Sequence, residues 1–241
     1  MIEAVALAGI DEVRPGDDLA ALLGAAAGGD LRATDVLCVA HKIVSKAEGR
    51  VVDLATVVPG ARAVAFAAEW DKDARVVQVV FDESAEVLRA DGGRLICRTR
   101  HGFVCANAGV DRSNAGGEDR AVLLPLDPDA SARGLRAALG CAVVVTDSFG
   151  RPWRVGQQEI AVGCAGLEPL VDARGQTDRD GRELIATQIA VADQAASAAD
   201  LARSKAGGLP AVRLRGLEAH VLGEDGPGAA ALVRARDQDL F

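Results

Sequence analysis

Two short segments combine acidic, hydroxyl, amide and guanidinium groups directly after apolar runs, at residues 108–114 and 145–154. A carboxylate that directly follows an apolar strand is a hard oxygen ligand held on a rigid element. Nearby glycines allow backbone amides to approach an anion. We therefore expect a site for a divalent cation and a phosphate group, with Asp111, Asp147 and Ser148 as candidate oxygen ligands.

Four basic residues are candidate counter-charges for the phosphate: Lys42, Lys46, Arg151 and Arg154. An arginine presents a planar, permanently charged fork to phosphate or carboxylate. His41 either contacts a phosphate or a base, or is an ordinary loop histidine. Lys46 could equally form a surface ion pair with Glu48, and the other groups could cap turns or cover apolar surface. The clustering of so many such groups favours a site.

The standard nucleotide-binding loops are absent from the sequence. It contains neither G-x-x-x-x-G-K-[ST] nor a G-x-G-x-x-G that opens a helix after a strand. A nucleotide would therefore bind through another arrangement. Asn114, three residues after Asp111, is either a turn residue or an amide that contacts such a ligand.

The composition limits the class of protein. The chain has 241 residues, of which 49% are hydrophobic, and can bury a full core as one large domain or two small ones. The net charge of −8 argues against a nucleic-acid partner and against a basic membrane-surface helix. No apolar stretch reaches the roughly 20 residues of a membrane span, and no signal peptide is recognisable, so we expect a cytoplasmic protein.

The cysteines do not form a recognisable metal or redox motif. Their number is odd, they are widely spaced, and no C-x-x-C pair occurs. We expect buried, reduced thiols at all five positions: Cys38, Cys97, Cys105, Cys141 and Cys164.

Hydrophobic periodicity and turn residues predict a mixture of strands and helices. Strands are expected at residues 3–7, 35–40, 94–98, 102–106, 142–145, 160–164 and 211–214. Helices are expected at residues 17–27, 61–68, 73–81, 131–139, 182–203 and 228–236. Because strands and helices do not alternate regularly, the pattern favours an α+β fold over a doubly wound sheet. In this prediction Asp147 stands just beyond the end of a strand.

Seven motifs, in order along nearly the whole chain, resemble those of the coenzyme F420-0:L-glutamate ligases. Each motif is weak alone, but their combination is highly specific. The matching segments are SKAEGR (45–50), ES (83–84), NAGVDRSN (107–114), LP with DPD (124–129), TDSFGRPWR (146–154), GREL (181–184) and VRLRG (212–216).

The resemblance implies an enzyme that uses GTP and divalent metal to add L-glutamate to coenzyme F420-0, and then further γ-linked glutamates. It implies an acyl-phosphate intermediate, two ions of Mg²⁺ or Mn²⁺, and a possible role for K⁺. It also implies that residues 1–241 form one family-level unit with two structural subdomains of mixed α+β type, assembled as an intertwined homodimer.

Site residues follow from the positions that match the family's motifs. The resemblance makes Asp111 and Asp147 catalytic and, with Ser148, metal-binding. It assigns GTP contacts to seven further residues: Ile10, Asp11, Glu12, Val13, His41, Lys46 and Asn114.

One departure concerns the loop after the long predicted helix. Some relatives carry an acidic metal ligand there, whereas this chain has Lys205 within residues 203–208. Three explanations stay open: another arrangement holds the second metal, Lys205 contacts phosphate, or activity is altered. Two alternative functions follow, a catalytically weak F420- or nucleotide-binding module and a metal-dependent phosphohydrolase. The chain also resembles the ligase half of two-domain actinobacterial proteins, so it could be a standalone protein or part of one.

Overall fold

A five-stranded mixed sheet forms the centre of the fold in this computed structural model, which describes residues 1–203 and 207–239. The strands in chain order are β1 (Glu3–Ala6), β2 (Val36–Ala40), β3 (Val51–Asp53), β4 (Ser84–Asp91), β5 (Arg94–Thr99), β6 (Val104–Ala106), β7 (Arg120–Val122), β8 (Ala142–Arg151), β9 (Arg154–Ala165), β10 (Val171–Asp172), β11 (Gln188–Ile189) and β12 (Ala211–Arg215). The α-helices are α1 (Leu19–Ala26), α2 (His41–Ala47), α3 (Ala61–Trp70), α4 (Ala74–Glu83), α5 (Pro128–Leu139) and α6 (Val191–Ala202).

The central sheet has the strand order β1-β12-β2-β8-β9, in which only β2 and β8 run parallel. Its inner strands are continuous apolar runs because helices cover both faces. On β2, Leu37 and Val39 face one core with α1, α2 and α5. Val36 and Cys38 face the other core, which α6 fills with small alanine side chains.

A second layer consists of the three-stranded sheet β4-β5-β6 with α3 and α4. It has its own apolar core, which includes Leu54, Val77, Val80 and Leu95. The short antiparallel pair β3–β7 flanks this layer in the chain, because β3 precedes α3 and β7 follows β6. The observed mixture confirms the predicted α+β class, while the division into two subdomains stays a prediction.

One predicted helix begins too early, and another is wrong. The helix expected over residues 182–203 begins only at Val191, and residues 182–189 are mostly exposed and include β11. The apolar face that packs against the sheet starts at Val191 and Ala192, so the preceding residues have nothing to bury as a helix. Residues 228–236 form two short 3₁₀ turns, Ala229–Leu232 and Arg236–Gln238, instead of a closing helix.

Strand β8 is longer than the predicted 142–145, so the expected position of Asp147 beyond a strand end is wrong. The strand continues to Arg151 and forms a hairpin with β9 through Pro152 and Trp153. Polar residues in this stretch suggest a loop, but pairing with β9 satisfies their backbone groups. Trp153 closes the turn with a positive φ of 61°. Asp147 therefore lies within a rigid strand.

The cysteine prediction is confirmed in the described part of the chain, where all five thiols are free and buried. Burial raises the pKa of Cys105 and of Cys164 to about 12, which keeps both protonated at neutral pH. Among the described helices, none is long and apolar enough to cross a membrane.

Candidate functional site

Helix α2 begins directly at the end of β2, and this junction places His41 beside Asp147. In the parallel pairing of β2 with β8, Ala40 is opposite Thr146, so the next residues of the two strands are neighbours. The Nε2 atom of His41 lies 3.4 Å from Oδ1 of Asp147. The other ring nitrogen of His41 is 3.3 Å from the hydroxyl of Ser45 on the next helical turn. Both predicted residues are thus brought together.

A β-bulge precedes Asp147. The register of β8 with β9 shifts between Val145 and Thr146. Bulges redirect side chains and are frequent beside functional sites. Asp147 accepts the backbone N–H of Ser148 at 2.8 Å, which fixes the orientation of its carboxylate. The predicted ligands Asp147 and Ser148 are therefore consecutive strand residues that directly follow an irregularity in the β8–β9 pairing.

The buried carboxylate of Glu159 lies beside Ser148. Glu159 of β9 is opposite Ser148 and accepts a short hydrogen bond from its hydroxyl. The guanidinium of Arg203 lies 2.9 Å from the second carboxylate oxygen of Glu159 and donates to the hydroxyl of Thr146 at 3.2 Å. Both partners of the ion pair are almost fully buried. Glu159 carries no motif of its own and is missed from the sequence alone. An isolated acidic residue beside the predicted strand 160–164 is the only signal.

A left-handed turn carries the chain to Asp111. Asn107, Ala108 and Gly109 all have positive φ angles, of 54°, 52° and 74°. This conformation is unfavourable for residues other than glycine, and such strain is concentrated at functional sites. The turn ends with Val110 donating to the carbonyl of Asn107. It thereby positions the predicted ligand Asp111 against α2.

Lys42 of α2 contacts Asp111 directly. Its Nζ atom lies 2.7 Å from Oδ2 of Asp111 and 2.5 Å from the hydroxyl of Ser113. Burial by itself would raise the pKa of the Asp111 carboxyl, but the Lys42 ammonium and the Ser113 amide outweigh it, so that the pKa is below its ordinary value. The carboxylate is therefore ionised at neutral pH, as a ligand of a divalent cation must be.

Lys46, one turn further along α2, is also buried and contacts the loop at residues 10–13. Its Nζ atom lies 2.6 Å from Oε1 of Glu12. Lys46 does not pair with Glu48, whose carboxylate accepts a hydrogen bond from Ser131. A Cβ atom on Gly116 would lie 3.6 Å from the same Glu12 oxygen, so the loop after Asp111 approaches this point as well.

The loop at residues 10–13 is fixed by its apolar members. Val13 is buried and Ile10 packs against the same core, while Asp11 and Glu12 are exposed. This arrangement anchors the loop and presents its acidic residues towards solvent. Glu12 of this loop contacts the buried Lys46, and the assignment of the four residues to a nucleotide stays a prediction.

The remaining predicted residues are not among those described above as contacting α2. Asn114 is exposed, with a positive φ of 54° that suits a turn asparagine. Arg151 lies four residues beyond Asp147, and its guanidinium donates to the carbonyl of Val155 at the hairpin tip. Arg154 is exposed at the same tip. Lys205 lies outside the described residues.

The oxygen donors fit a hard divalent cation such as Mg²⁺ or Mn²⁺. The Lys42 ammonium on Asp111 shows that a positive charge is favourable at this carboxylate. Within residues 1–203 and 207–239, no group of three or more His, Cys, Asp or Glu side chains could hold a metal ion by itself. Sites that bind a metal–nucleotide complex commonly use one or two carboxylates and take the remaining ligands from phosphates and water.

Two comparisons with known proteins, one with family models and one with individual relatives, agree on one family. The family model described as F420-0:Gamma-glutamyl ligase matches residues 9–216. The coenzyme F420:L-glutamate ligase of Methanothermobacter thermautotrophicus is 42% identical, over 100% of this chain and 98% of the relative. The protein of the same name from Natronomonas pharaonis is 49% identical, over 89% of this chain and 86% of the relative. The chain belongs to the F420-0:gamma-glutamyl ligase family.

Proposed function

We propose that this protein is a GTP-dependent ligase that adds L-glutamate to coenzyme F420-0 and then extends the product by γ-linked glutamates. The relatives of similar sequence bear the name coenzyme F420:L-glutamate ligase. The observation that carries the proposal is the arrangement along α2, where His41, Lys42 and Lys46 contact the carboxylates of Asp147, Asp111 and Glu12 in turn.

The proposed reaction has two steps. A carboxylate oxygen of F420-0 attacks the γ-phosphorus of GTP, so that an acyl phosphate forms and GDP leaves. The amine of L-glutamate then attacks the acyl carbon, inorganic phosphate leaves, and the amine loses a proton as the amide forms. The acyl phosphate is needed because a free carboxylate is a poor electrophile.

Both reactants of the first step are anions, so the site must offset their repulsion. Lys42 and Lys46 supply positive charge on the face of α2 that the loops at residues 10–13 and 111–117 approach. We assign Lys46, His41, Asn114 and the loop at residues 10–13 to GTP. Asp111, Asp147 and Ser148 would hold Mg²⁺ or Mn²⁺, which when bound supplies charge neutralisation at the phosphate oxygens.

We further propose that the protein acts as a homodimer. The tip of the β8–β9 hairpin carries two large apolar side chains, Trp153 and Val155, which are 87% and 94% exposed. Exposed apolar groups on a projecting hairpin are typical of a surface that a partner covers. A second copy of this chain is the occupant that the resemblance implies.

The test is to incubate the purified chain with F420-0, L-glutamate, GTP and Mn²⁺, and to follow product mass together with GDP. Mass increments of one glutamate, each matched by one GDP, support the proposal. GDP release that does not require glutamate would instead indicate a phosphohydrolase. Binding of F420-0 or GTP without turnover would indicate a binding module.

A further inference from the structure

We infer that the cavity between β6 and the β8–β9 hairpin binds the deazaflavin ring of F420-0, with Phe103 and Phe149 as its aromatic walls. The inference rests on the proposed function, in which F420-0 is the substrate, and it adds the residues that hold the part of the substrate that does not react. The cavity has a volume of about 280 Å³ and is lined by side chains from the central sheet and from the second layer.

The cavity lies beside Asp147. One of its lining residues, Ile160, is opposite Asp147 in the β8–β9 register, so the two side chains are on the same face of the hairpin. Another lining residue, Phe149, follows Asp147 by two positions and shares that face, about 7 Å further along the strand. A ligand that fills the cavity can therefore extend along this face to Asp147, where the proposed phosphoryl transfer takes place.

The size and the walls of the cavity fit one planar ring system. Ligand pockets begin at roughly 300 Å³, so this cavity has room for the tricyclic ring and not for the whole coenzyme. The rings of Phe103 and Phe149 are nearly perpendicular, with centroids 6.3 Å apart, and Phe103 stacks on His101. The chain has only five phenylalanines, and two of them meet here. Since aromatic side chains pack well against planar rings, this concentration favours a planar ligand.

Two charged groups at the cavity match the polar atoms of such a ring. Asp193, in the first turn of α6, accepts the N–H of Ala161 at 2.9 Å with one of its two carboxylate oxygens. Burial raises the pKa of Asp193, and this hydrogen bond offsets only part of the effect, so a second donor would stabilise the carboxylate. The Nε atom of Arg98 is buried and makes no hydrogen bond within residues 1–203 and 207–239. A deazaflavin ring offers an N–H to the carboxylate and carbonyl oxygens to the guanidinium.

A surface cavity with apolar walls could instead be covered by a second copy of the chain. Val104→Trp separates the two cases. Val104 lines the cavity and is 44% exposed, so a larger side chain fills the cavity without replacing a core residue. Val64→Trp is the matched control, because it adds the same bulk at a valine of α3 that is 49% exposed and lies outside the cavity.

The measurement is the dissociation constant of F420-0 by equilibrium dialysis without GTP or metal, with thermal unfolding and light scattering of the same preparations. Val104→Trp should weaken F420-0 binding about 10-fold or more, because the ring loses its space and its aromatic contacts. Phe149→Leu keeps an apolar side chain but removes an aromatic face, and should weaken binding about 2- to 10-fold. Val64→Trp should leave binding unchanged.

Steady-state kinetics give a second readout. Val104→Trp should raise the KM for F420-0 about 10-fold or more and change the KM for GTP by less than about twofold, because it removes binding of one substrate only. Asp193→Asn should also raise the KM for F420-0, because the amide oxygen can still accept the Ala161 N–H while its NH₂ group faces the N–H of the ring.

Unchanged F420-0 binding in folded Val104→Trp would overturn the inference, and a changed mass of that variant would then identify a second copy as the occupant. If Val104→Trp does not fold, wild-type affinity in both Phe149→Leu and Asp193→Asn would overturn it. Wild-type protein that binds F420-0 but forms no glutamate adduct, with binding lost in Val104→Trp, would refute the proposed function alone. Adduct formation with a KM for F420-0 that Val104→Trp does not change would refute the inference alone.

Discussion

The Nε2 atom of His41 lies 3.4 Å from Oδ1 of Asp147, across the parallel pair β2–β8. We expect Asp147→Asn to lower kcat about 100-fold or more, because it removes a charge from the point where the proposed phosphoryl transfer needs it. The amide oxygen can still accept the Ser148 N–H, so the free energy of unfolding should change by less than about 1 kcal/mol.

The measurements are steady-state kinetics and urea unfolding of the same preparations. Asp172→Asn is the control, because Asp172 is a carboxylate on β10 whose side chain pairs with Arg174, two residues along the chain. It should leave kcat unchanged. Retained metal-dependent turnover in Asp147→Asn would remove Asp147 from the mechanism.

Lys46→Met should raise the KM for GTP about tenfold with a smaller effect on kcat, since the change removes a charge-assisted contact to phosphate. Methionine keeps most of the apolar stem that the buried Lys46 contributes to packing. Lys72→Met, in the second layer, serves as the control. An unchanged KM would indicate that Lys46 serves only the ion pair with Glu12.

Gly109→Ala should destabilise the protein by about 1–3 kcal/mol and also reduce activity. The added Cβ would lie 2.7 Å from Cγ of Leu124 at a φ of +74°, so the turn that positions Asp111 must shift. Gly140→Ala is matched in backbone, at a φ of +72°, but a Cβ there meets no atom within 4 Å. Thermal unfolding measures the stability of both variants. Steady-state kinetics should show a loss of activity only for Gly109→Ala.

Stability at acid pH should depend on the ion-pair cluster of Arg213 and Arg215 with Asp30 and Asp35. Hydrogen bonds from both arginines lower the pKa of Asp30. Burial opposes ionisation of Asp35, but its hydrogen bond with Arg215 and the Arg32 amide outweigh burial and lower its pKa too. Both folded pKa values lie below the ordinary 3.8. The stability that these two ionised carboxylates contribute is therefore complete above pH 3.8 and is lost as the pH falls below it.

The measurement is the urea midpoint as a function of pH. It should be steady from about pH 7 to pH 5 and fall below about pH 4. Asp35→Asn should lower stability by about 3 kcal/mol at pH 7, because Arg215 then lacks its buried partner, and should flatten the acid dependence. An acid slope equal to that of the wild type would exclude Asp35 as its source.

Trp153→Ser combined with Val155→Ser should convert the proposed dimer to monomer, because both side chains are exposed at the hairpin tip. Light scattering after size exclusion measures the mass. Val58→Ser is the control, since Val58 is 87% exposed in the loop before α3. A monomeric wild-type chain, or a double variant that stays dimeric, would contradict this assignment of the interface.

Apolar runs and helix-cap residues predicted much of the fold. Strand β2 and helix α5 follow from a continuous apolar stretch and from the Asp127-Pro128 start, where Asp127 caps the Ala130 amide. The same signals do not show which segments pack against a core. Residues 182–189 have a composition typical of helices, but they are mostly exposed and do not belong to the core that α6 fills. The polar segment of β8 is a strand only because β9 pairs with it.

The candidate site was predicted as a set of residue types but not as an arrangement. The sequence suggests Asp111, Asp147 and Lys46, yet only the parallel register of β2 with β8 explains why His41 meets Asp147. Glu159 escapes prediction because its contact with Ser148 runs across two strands, which no spacing along the chain reveals. Long-range pairing therefore accounts for what the sequence leaves unpredicted.

The position of β12 between β1 and β2 has a consequence for biosynthesis. Among the strands of residues 1–203 and 207–239, the first strand, Glu3–Ala6, pairs only with β12, which is made after residue 210. The local sheet β4-β5-β6 can close as soon as it leaves the ribosome, whereas β1 must wait until β12 has been made. Completion of the central sheet by β1 and β12 therefore follows the synthesis of residues 211–215, whereas the sheet β4-β5-β6 needs only residues 84–106.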